Sequence, residues 1–288
     1  MNVPVEGQHN DRLFCWEQVN KTYPAFRISQ VFVSREVASS LLPLYAFFSI
    51  VEQICGGSSD EELARSKLAW WRMECSPEKL AGSRHPVLQE LRRTEAFRPM
   101  GPELITRLLY VAESRFEAHP PGDISELYDR CEKWARLQLE MEMAASGILP
   151  GVFEVPAELL KRIGMLQLLK ESAGKKEQGA FKWIPLKSLA RHGVSRSDFV
   201  DEPESEGVLA LLNDLVNHGQ LLSPHAAAIV DGKADLSGMR NFFAINGLHA
   251  SKLRNLKTLS LDSYASEVSR IRFSDLLTAW ASARRFEC

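Results

Sequence analysis

The sequence predicts an all-α protein folded as a single domain. Apolar residues recur at helical spacing along most of the chain, alternating strand patterns are scarce, and no internal repeat or low-complexity segment is present. A hydrophobic fraction of 45% and a charged fraction of 25% are typical of a globular protein. Although 288 residues is long for one domain, we expect one unit, 1–288, with roughly eight to ten helices around a core at about 20–285.

The first half of the chain carries separate helix signals. The apolar run "PLYAFFSIVEQICGG" predicts a helix near 36–56 that ends at its two glycines. Before it, "RISQVFVSR" at 27–35 is the only strand-like segment, and a helix or an extended lead-in fits it as well. Ser59, with Glu62 three residues later, has the spacing of a capping box and predicts the next helix start. Further helices are predicted at about 85–97 and 101–118.

The second half contains the longest predicted helix, from Asp123 to Ser146, with Gly147 as its carboxyl-terminal stop. The polar segment 195–207 is interpreted as a surface connection. Other helices are predicted at about 156–172, 205–218, 220–230, 234–245 and 264–285. We expect the helices near 36–56, 124–146 and 156–172 to face one another at the centre of the domain.

Composition argues against several classes of protein. The formal net charge of −2 gives no support for a nucleic-acid binder. The five cysteines show no C-x-x-C spacing and the seven histidines no metal-binding spacing, which favours reduced thiols over disulfides or zinc. The amino terminus lacks the basic and apolar regions of a secretory signal. The apolar run from Val37 to Val51 is interrupted by serines and Pro43, so it does not predict a membrane span. We expect a cytoplasmic protein.

Three segments occur in an order that is typical of a known family. They are "YPAFRISQVFVSREVASSLLPLYAF" at 23–47, "LARSKLAWWRMECSPEKLAGSRHPVLQEL" at 63–91 and "WIPLKSLARHGVSRSDF" at 183–199. Through them the chain resembles the squalene/phytoene synthase family over about residues 20–280. The resemblance implies an isoprenoid-synthase-type helical bundle. In the enzymes of that family it also implies the head-to-head joining of two prenyl diphosphates.

That chemistry uses Mg²⁺ ions, which need several carboxylate oxygens presented by two facing helices. The family carries one aspartate-rich motif directly after its Tyr-Ala-Phe segment, here at 45–47, and another just before its Leu-Pro segment. In this sequence no aspartate occurs between Asp11 and Asp60, and none between Asp129 and Asp198. We interpret this as the loss of both motifs.

The resemblance places vestiges of the two motifs at four positions: Glu52, Gln53, Gly56 and Glu171. Two glutamates supply too few ligands for a cage of several Mg²⁺ ions, so we expect no metal site and no cofactor. The lysines of the second region are candidates for binding an anion directly through their ammonium groups: Lys170, Lys175, Lys176 and Lys182. A solvated helix end is the other interpretation of these lysines.

A cavity for isoprenoid chains is also implied by the resemblance. The residues expected to line it are Phe26, Tyr45, Phe48, Arg130, Trp134, Arg136 and Gln167. Arg130 stands in place of a tyrosine, and Trp134 and Arg136 stand where small residues are usual in the family. We expect these side chains to fill the space that a long isoprenoid chain requires. The retained Phe26, Tyr45 and Gln167 are equally consistent with ordinary core residues.

Two functions of different classes stay open. One is a non-catalytic binding or assembly role, similar to the squalene/phytoene-synthase-like assembly factors of respiratory complex I, with a protein partner or an isoprenoid-like apolar ligand. The alternative is a divergent transferase or lyase with a Lys/Arg-based diphosphate site, similar in "YPAFRIS" to bacterial hydroxysqualene synthases, and only this one would use Mg²⁺. The first is favoured, because removing even one electrostatic group typically slows an enzyme by about 10²–10³.

The carboxyl-terminal segment "RIRFSDLLTAWASARR" at 270–285 is amphipathic. Ile271, Leu276, Leu277 and Trp280 share one side, and arginines stand at both ends. Such a pattern predicts either a last helix docked on the bundle or peripheral membrane contact.

Overall fold

The computed structural model describes residues 6–57, 60–94, 101–117, 119–148, 155–172, 181–221, 239–254, 266–267, 270 and 272–284. Within these ranges the secondary structure is helical and contains no strand. The prediction of an all-α, single-domain fold is confirmed.

The helices follow one another along the chain with short connections. The first half contains α1 (Glu6–Thr22), α2 (Phe26–Ser29), a 3-10 helix (Gln30–Phe32), α3 (Arg35–Gly57), α4 (Glu61–Glu74), α5 (Pro77–Leu80), α6 (Pro86–Arg93) and α7 (Gly101–Glu117). The second half contains α8 (Ile124–Ala145), α9 (Ala157–Ser172), α10 (Leu186–His192), α11 (Asp198–Asp201), α12 (Glu206–Leu221), α13 (Arg240–Arg254) and α14 (Phe273–Arg284).

The three central helices lie where the sequence predicts them. Helices α3, α8 and α9 match the predicted segments 36–56, 124–146 and 156–172 closely. The helix predicted at 220–230 lies almost wholly outside the described residues, as do the starts of those predicted at 234–245 and 264–285. Their described parts are α13 and α14.

Local signals were predicted less well than the helices themselves. The segment 27–35 is short helical turns, so the strand interpretation is wrong and the helical one is correct. Helix α4 is capped by Asp60, whose carboxylate accepts the backbone N–H groups of Glu62 and Leu63, each at 3.0 Å. Ser59, the predicted cap, lies outside the described residues. Asp60 adjoins the first turn, and a carboxylate there accepts the exposed amides directly. Gly147 ends α8 with a φ of 74°, as predicted.

The segment 195–207 is more than a surface connection. It includes α11, and Phe199 of that helix is buried, with its ring stacked on Phe181 at 4.8 Å between centroids. The polar residues around Phe199 hide this anchor in the sequence.

Helix α3 forms the spine of the largest apolar cluster, which it shares with α1, α4, α6, α7 and α8. By length and hydropathy alone it could cross a membrane, the only described helix of which this is true. Two-thirds of that segment (67%) is buried inside the protein, which is also typical of a central core helix.

Helices α8 and α9 cross at very close range. A Cβ added to Gly164 of α9 would lie 2.6 Å and 2.7 Å from the backbone C and Cα of Cys131 on α8. Backbone atoms of two packed helices cannot move aside as a flexible side chain can. The residue at 164 therefore sets how near these helices approach.

We predict that Gly164→Ala lowers the free energy of unfolding by about 3 kcal/mol, because it forces α8 and α9 apart. Gly82→Ala is the matched control, since its Cβ would meet only the backbone oxygen of Lys79 at 3.9 Å. Urea denaturation of both variants measures the effect. Equal stability of the two variants would contradict this account of the crossing.

Candidate functional site

A buried ion pair links α3 and α9 at the centre of the bundle. The Nζ of Lys170 lies 3.1 Å from Oε2 of Glu52, and the two side chains are only 5% and 3% exposed. Lys170 was a candidate for binding an external anion. Instead, it neutralises the carboxylate at the first of the two predicted metal regions.

Tyr23, at the carboxyl-terminal end of α1, completes this pair. Its hydroxyl donates a hydrogen bond to Oε1 of Glu52, and the ammonium of Lys170 lies 3.7 Å from the centre of its ring. The ring face attracts the cation, while the hydroxyl stabilises the anion. Burial raises the pKa of Tyr23 well above its ordinary value, and the nearby Glu52 raises it further. The phenol therefore stays protonated and remains a donor.

A chain of amides continues from the ion pair into the bundle. Gln138 Nε2 of α8 lies 3.5 Å from Glu52 Oε1, and its own Oε1 accepts a hydrogen bond from Gln167 at 2.6 Å. Gln167 Nε2 also lies 3.5 Å from Oδ1 of Asn246 on α13. All of these side chains are buried. The network ties four helices together through polar contacts that only one packing arrangement satisfies.

A second buried ion pair lies one residue further along α9. Arg115 of α7 donates to Oε2 of Glu171 at 2.9 Å, and its guanidinium lies 5.4 Å from the ring centre of Trp134. Burial raises the pKa of Glu171, and Arg115 opposes that rise. A Cβ at Gly56 would come within 2.7 Å of Oε1 of Glu171. Gly56, a predicted vestige of the first metal motif, therefore makes room for the second carboxylate.

Several buried polar atoms near these pairs have no hydrogen-bond partner. Among the described residues they are Oε1 of Gln167, Oε1 of Glu171 and both ring nitrogens of His249. Burial lowers the pKa of His249 well below its ordinary value, and the ammonium groups of Lys170 and Lys252 lower it further. The imidazole is therefore neutral. These atoms could engage a bound molecule with hydrogen-bonding groups.

A separate buried acid lies on α8. Glu142 accepts a hydrogen bond from the hydroxyl of Tyr45 at 2.5 Å and another from Nδ2 of Asn241 at 3.0 Å. Ser29 in turn donates to Oδ1 of Asn241 at 2.5 Å. Burial raises the pKa of Glu142 to about 7, although its two hydrogen bonds favour the ionised form.

The aromatic residues predicted to line a cavity form a packed cluster. The ring of Tyr45 lies 4.7 Å from that of Phe26, 5.0 Å from that of Tyr23 and 5.6 Å from that of Phe48, measured between centroids. Trp134 is also buried. These side chains contact one another or the buried charges, so the structure places them as core residues around the ion pairs.

Other predicted positions lie elsewhere. Arg130 and Arg136 were expected in the cavity, but they are 35% and 38% exposed and pair along the α8 surface with Glu126 and Glu132. That expectation is wrong for both arginines. Gln53 is exposed on α3 and bonds to side chains of α1 and its own helix.

The remaining predicted lysines do not join the site. Lys182 is 55% exposed and pairs with Glu61. Lys175 and Lys176 lie outside the described residues.

Four residues of the site were missed by the sequence analysis: Tyr23, Arg115, Gln138 and Glu142. Tyr23 begins the "YPAFRIS" segment, so the segment that carries the resemblance did contain a signal for it. Arg115 is 56 residues from its partner along the chain. No local pattern reports such a contact.

The profile of squalene/phytoene synthases matches this chain from residue 19 to residue 274. The chain belongs to the squalene/phytoene synthase family. No curated protein matches it significantly in sequence.

Solved structures of the family share this fold. A dehydrosqualene synthase in complex with ligand superposes with a TM-score of 0.67 at 13% identity, covering 96% of each chain. The squalene synthase HpnC from Alicyclobacillus acidocaldarius superposes with a TM-score of 0.54 at 17% identity, covering 95% of this chain and 97% of its own. At such identities the similarity establishes the fold.

The residues present do not fit the Mg²⁺ ions that squalene/phytoene synthase chemistry requires. In the described part of the chain, no three His, Cys, Asp or Glu side chains come together as a metal-binding group. Glu52 and Glu171 are each neutralised by a buried cation of the protein. Mg²⁺ needs near-octahedral oxygen ligands, and here each carboxylate would first have to leave its partner.

We predict that Lys170→Met lowers the free energy of unfolding by about 3–5 kcal/mol, because it leaves the Glu52 carboxylate buried without a counter-charge. Removing both charges, in Glu52→Gln with Lys170→Met, should cost less than the sum of the two single changes. A double-mutant cycle by urea denaturation measures this coupling.

The control for this cycle is Lys187→Met, which removes an exposed pair with Asp123 at 3.0 Å, 73% and 43% exposed. Its cost should stay below about 1 kcal/mol. Additive single changes at 52 and 170 would contradict a buried, mutually dependent pair.

We predict a pH-dependent difference in stability between Glu142→Gln and the unmodified chain. Because the pKa of Glu142 rises from 4.5 to about 7 on folding, the native state binds its proton more tightly than the unfolded state. Stability from this group is therefore full near pH 4.5 and is lost as pH rises towards 7. Between pH 5 and pH 8 the difference should move in favour of the glutamine variant by on the order of 3 kcal/mol.

The difference between the two proteins isolates Glu142, because His249 contributes an opposite slope in both of them. The depressed pKa of His249 weakens the native state as pH falls. A stability difference that stays constant with pH would mean that Glu142 is ionised in the native state throughout this range.

Proposed function

We propose that this chain is a non-catalytic member of the squalene/phytoene synthase family that acts by binding and assembly. The observation that carries the proposal is the pair of buried salt bridges, Glu52–Lys170 and Arg115–Glu171. They lie where the resemblance places the two aspartate-rich motifs. Their four charges sum to zero.

This neutral centre lacks the property on which diphosphate chemistry depends. A cluster of acids attracts Mg²⁺, and the metal then attracts the diphosphate and stabilises its departure. Here Lys170 and Arg115 stand in for the metal charge, but their counter-ions are already the glutamates of the protein. Freeing either glutamate would strand a buried charge at a cost of about 3–5 kcal/mol.

The fold is nevertheless retained along the whole family match. The buried network of Tyr23, Glu52, Gln138 and Gln167 is closed by side chains of the chain itself. Such a network stabilises a rigid scaffold and specifies its packing. We propose that this scaffold presents its surface to a protein partner, as a complex I assembly factor of this family would, and that it acts in the cytoplasm.

A second candidate function is supported by the unpartnered atoms near the centre. Oε1 of Gln167 and both nitrogens of His249 lie buried close to Lys170. If a diphosphate entered, Lys170 and Arg115 could turn from their glutamates to the phosphate oxygens. The chain would then be a divergent transferase or lyase for isoprenoid diphosphates.

We predict that incubation with farnesyl diphosphate and millimolar Mg²⁺ releases no diphosphate and forms no squalene-type product. Thermal unfolding should be unchanged by Mg²⁺ with inorganic diphosphate, because a ligand raises the melting temperature only when it binds the native state. The squalene synthase HpnC is the positive control for the product assay. A released product from the unmodified chain would overturn the non-catalytic proposal.

Two variants of α8 separate a blocked cavity from missing chemistry. Trp134→Gly removes a buried indole, whereas Arg136→Gly removes an exposed guanidinium and is its matched control. Both should remain inactive towards farnesyl diphosphate, since neither supplies a carboxylate. Turnover gained by Trp134→Gly alone would show that the indole was the block, and it would favour the divergent enzyme.

A further inference from the structure

Helix α14 packs on the bundle through small residues. Its buried positions include Ala279 and Ala283, which join Ala244 and Leu248 of α13 in a small apolar cluster. A Cβ at Gly247 would overlap the hydroxyl of Ser282 on α14. The two helices therefore approach so closely that large side chains do not fit between them.

This close packing turns the large apolar residues of α14 outward. Phe273 is 81% exposed, Leu277 64% and Trp280 47%. They are spaced four and three residues apart, so they share one face of the helix. Leu276, predicted on the same side as Leu277, lies half-buried against the small cluster. The true amphipathic axis of the helix is rotated from the predicted one, and Ile271 lies outside the described residues.

The charges around this outward face are unequal in sign. The only acid of α14, Asp275, is 8% exposed, and it is neutralised by Lys252 at 3.2 Å. Arg270 and Arg272 are exposed at the amino-terminal end of the helix, with Arg272 also pairing with Glu267. Arg27 is exposed on α2, which packs against α14.

We propose that the outer face of α14, defined by Phe273, Leu277 and Trp280, docks on an anionic membrane surface. Aromatic and aliphatic side chains of this kind insert at the boundary between headgroups and acyl chains. Arginines beside them are attracted to anionic headgroups, each lipid contact adding to a weak apolar insertion. The inward, neutralised position of Asp275 removes the carboxylate that such a surface would repel.

A second exposed apolar face provides the contrast. On α4, Leu63 and Met73 are each 48% exposed, but Glu61 and Glu62 open that helix and Glu74 ends it. Its charge pattern does not complement an anionic surface. The membrane proposal therefore rests on the charge around α14 as well as on its apolar exposure, and it does not depend on whether the chain has enzymatic activity.

Vesicle sedimentation of the full chain tests the proposal. We expect it to bind vesicles of phosphatidylcholine with phosphatidylglycerol more tightly than phosphatidylcholine alone, and less tightly as salt rises. Phe273→Ser with Leu277→Ser should weaken this binding by at least about tenfold. Leu63→Ser with Met73→Ser is the matched control and should bind as the unmodified chain does. Circular dichroism melts confirm that both variants are folded.

Three outcomes would overturn the proposal. One is an absence of binding to the anionic vesicles by the unmodified, folded chain. Another is an equal loss of binding in the α4 control, because apolar exposure of any kind would then suffice. The third is lipid-free self-association, measured by analytical ultracentrifugation, that Phe273→Ser with Leu277→Ser abolishes while vesicle binding is unchanged. That result would assign the face to a second copy of this chain.

Discussion

The buried pair of Glu52 and Lys170 is the constraint on which the centre of this fold depends. Two charges withdrawn almost completely from water destabilise a protein by several kcal/mol each unless they meet in good geometry. Helices α3 and α9 must therefore be fixed in register for the pair to form. Tyr23 contributes from α1 and Gln138 from α8, so four helices share one polar centre. A displaced packing would leave at least one charge without its partner.

The second pair has the same effect one residue further along α9. Glu171 reaches Arg115 across from α7, and it does so through space that only a glycine at 56 leaves open. The indole of Trp134 covers the guanidinium from α8. Consecutive residues of α9, a lysine and a glutamate, thus pair with opposite charges on different helices. This arrangement makes the interior electrically neutral, whereas a site for Mg²⁺ and diphosphate would require a strong excess of negative charge before the metal arrives.

The fold could be predicted from the sequence because its helices carry strong apolar periodicity and its segments follow the family order. The missing aspartates are equally visible in the sequence. The pairing of the charges was not predictable, since Lys170 lies near the end of α9, where lysines are usually solvated. Its spacing of three residues from Gln167 was the one sign that it shares a buried face.

The error at Arg136 has a geometric cause. Trp134 and Arg136 are two residues apart on one helix, which separates their side chains by about 200°. Both could not enter the same cavity, and the indole is the one that does. Helical geometry applied to the sequence would have placed Arg136 on the surface. The partner of Arg115 could not have been found in this way, because its contact crosses between distant helices.

The contrast between the centre and α14 says where function resides in this chain. At the centre, a family site has become a set of internal contacts in which charged groups satisfy one another. On α14, the reverse holds: small residues occupy the interface with α13, and large apolar residues remain in water. Exposing a phenylalanine and a leucine forgoes about 1.5–3 kcal/mol of burial for each, and nothing in the packing of α13 requires those side chain types at the surface. The exposed face is therefore best explained by contact with something outside the chain, which agrees with a protein that acts through its surface.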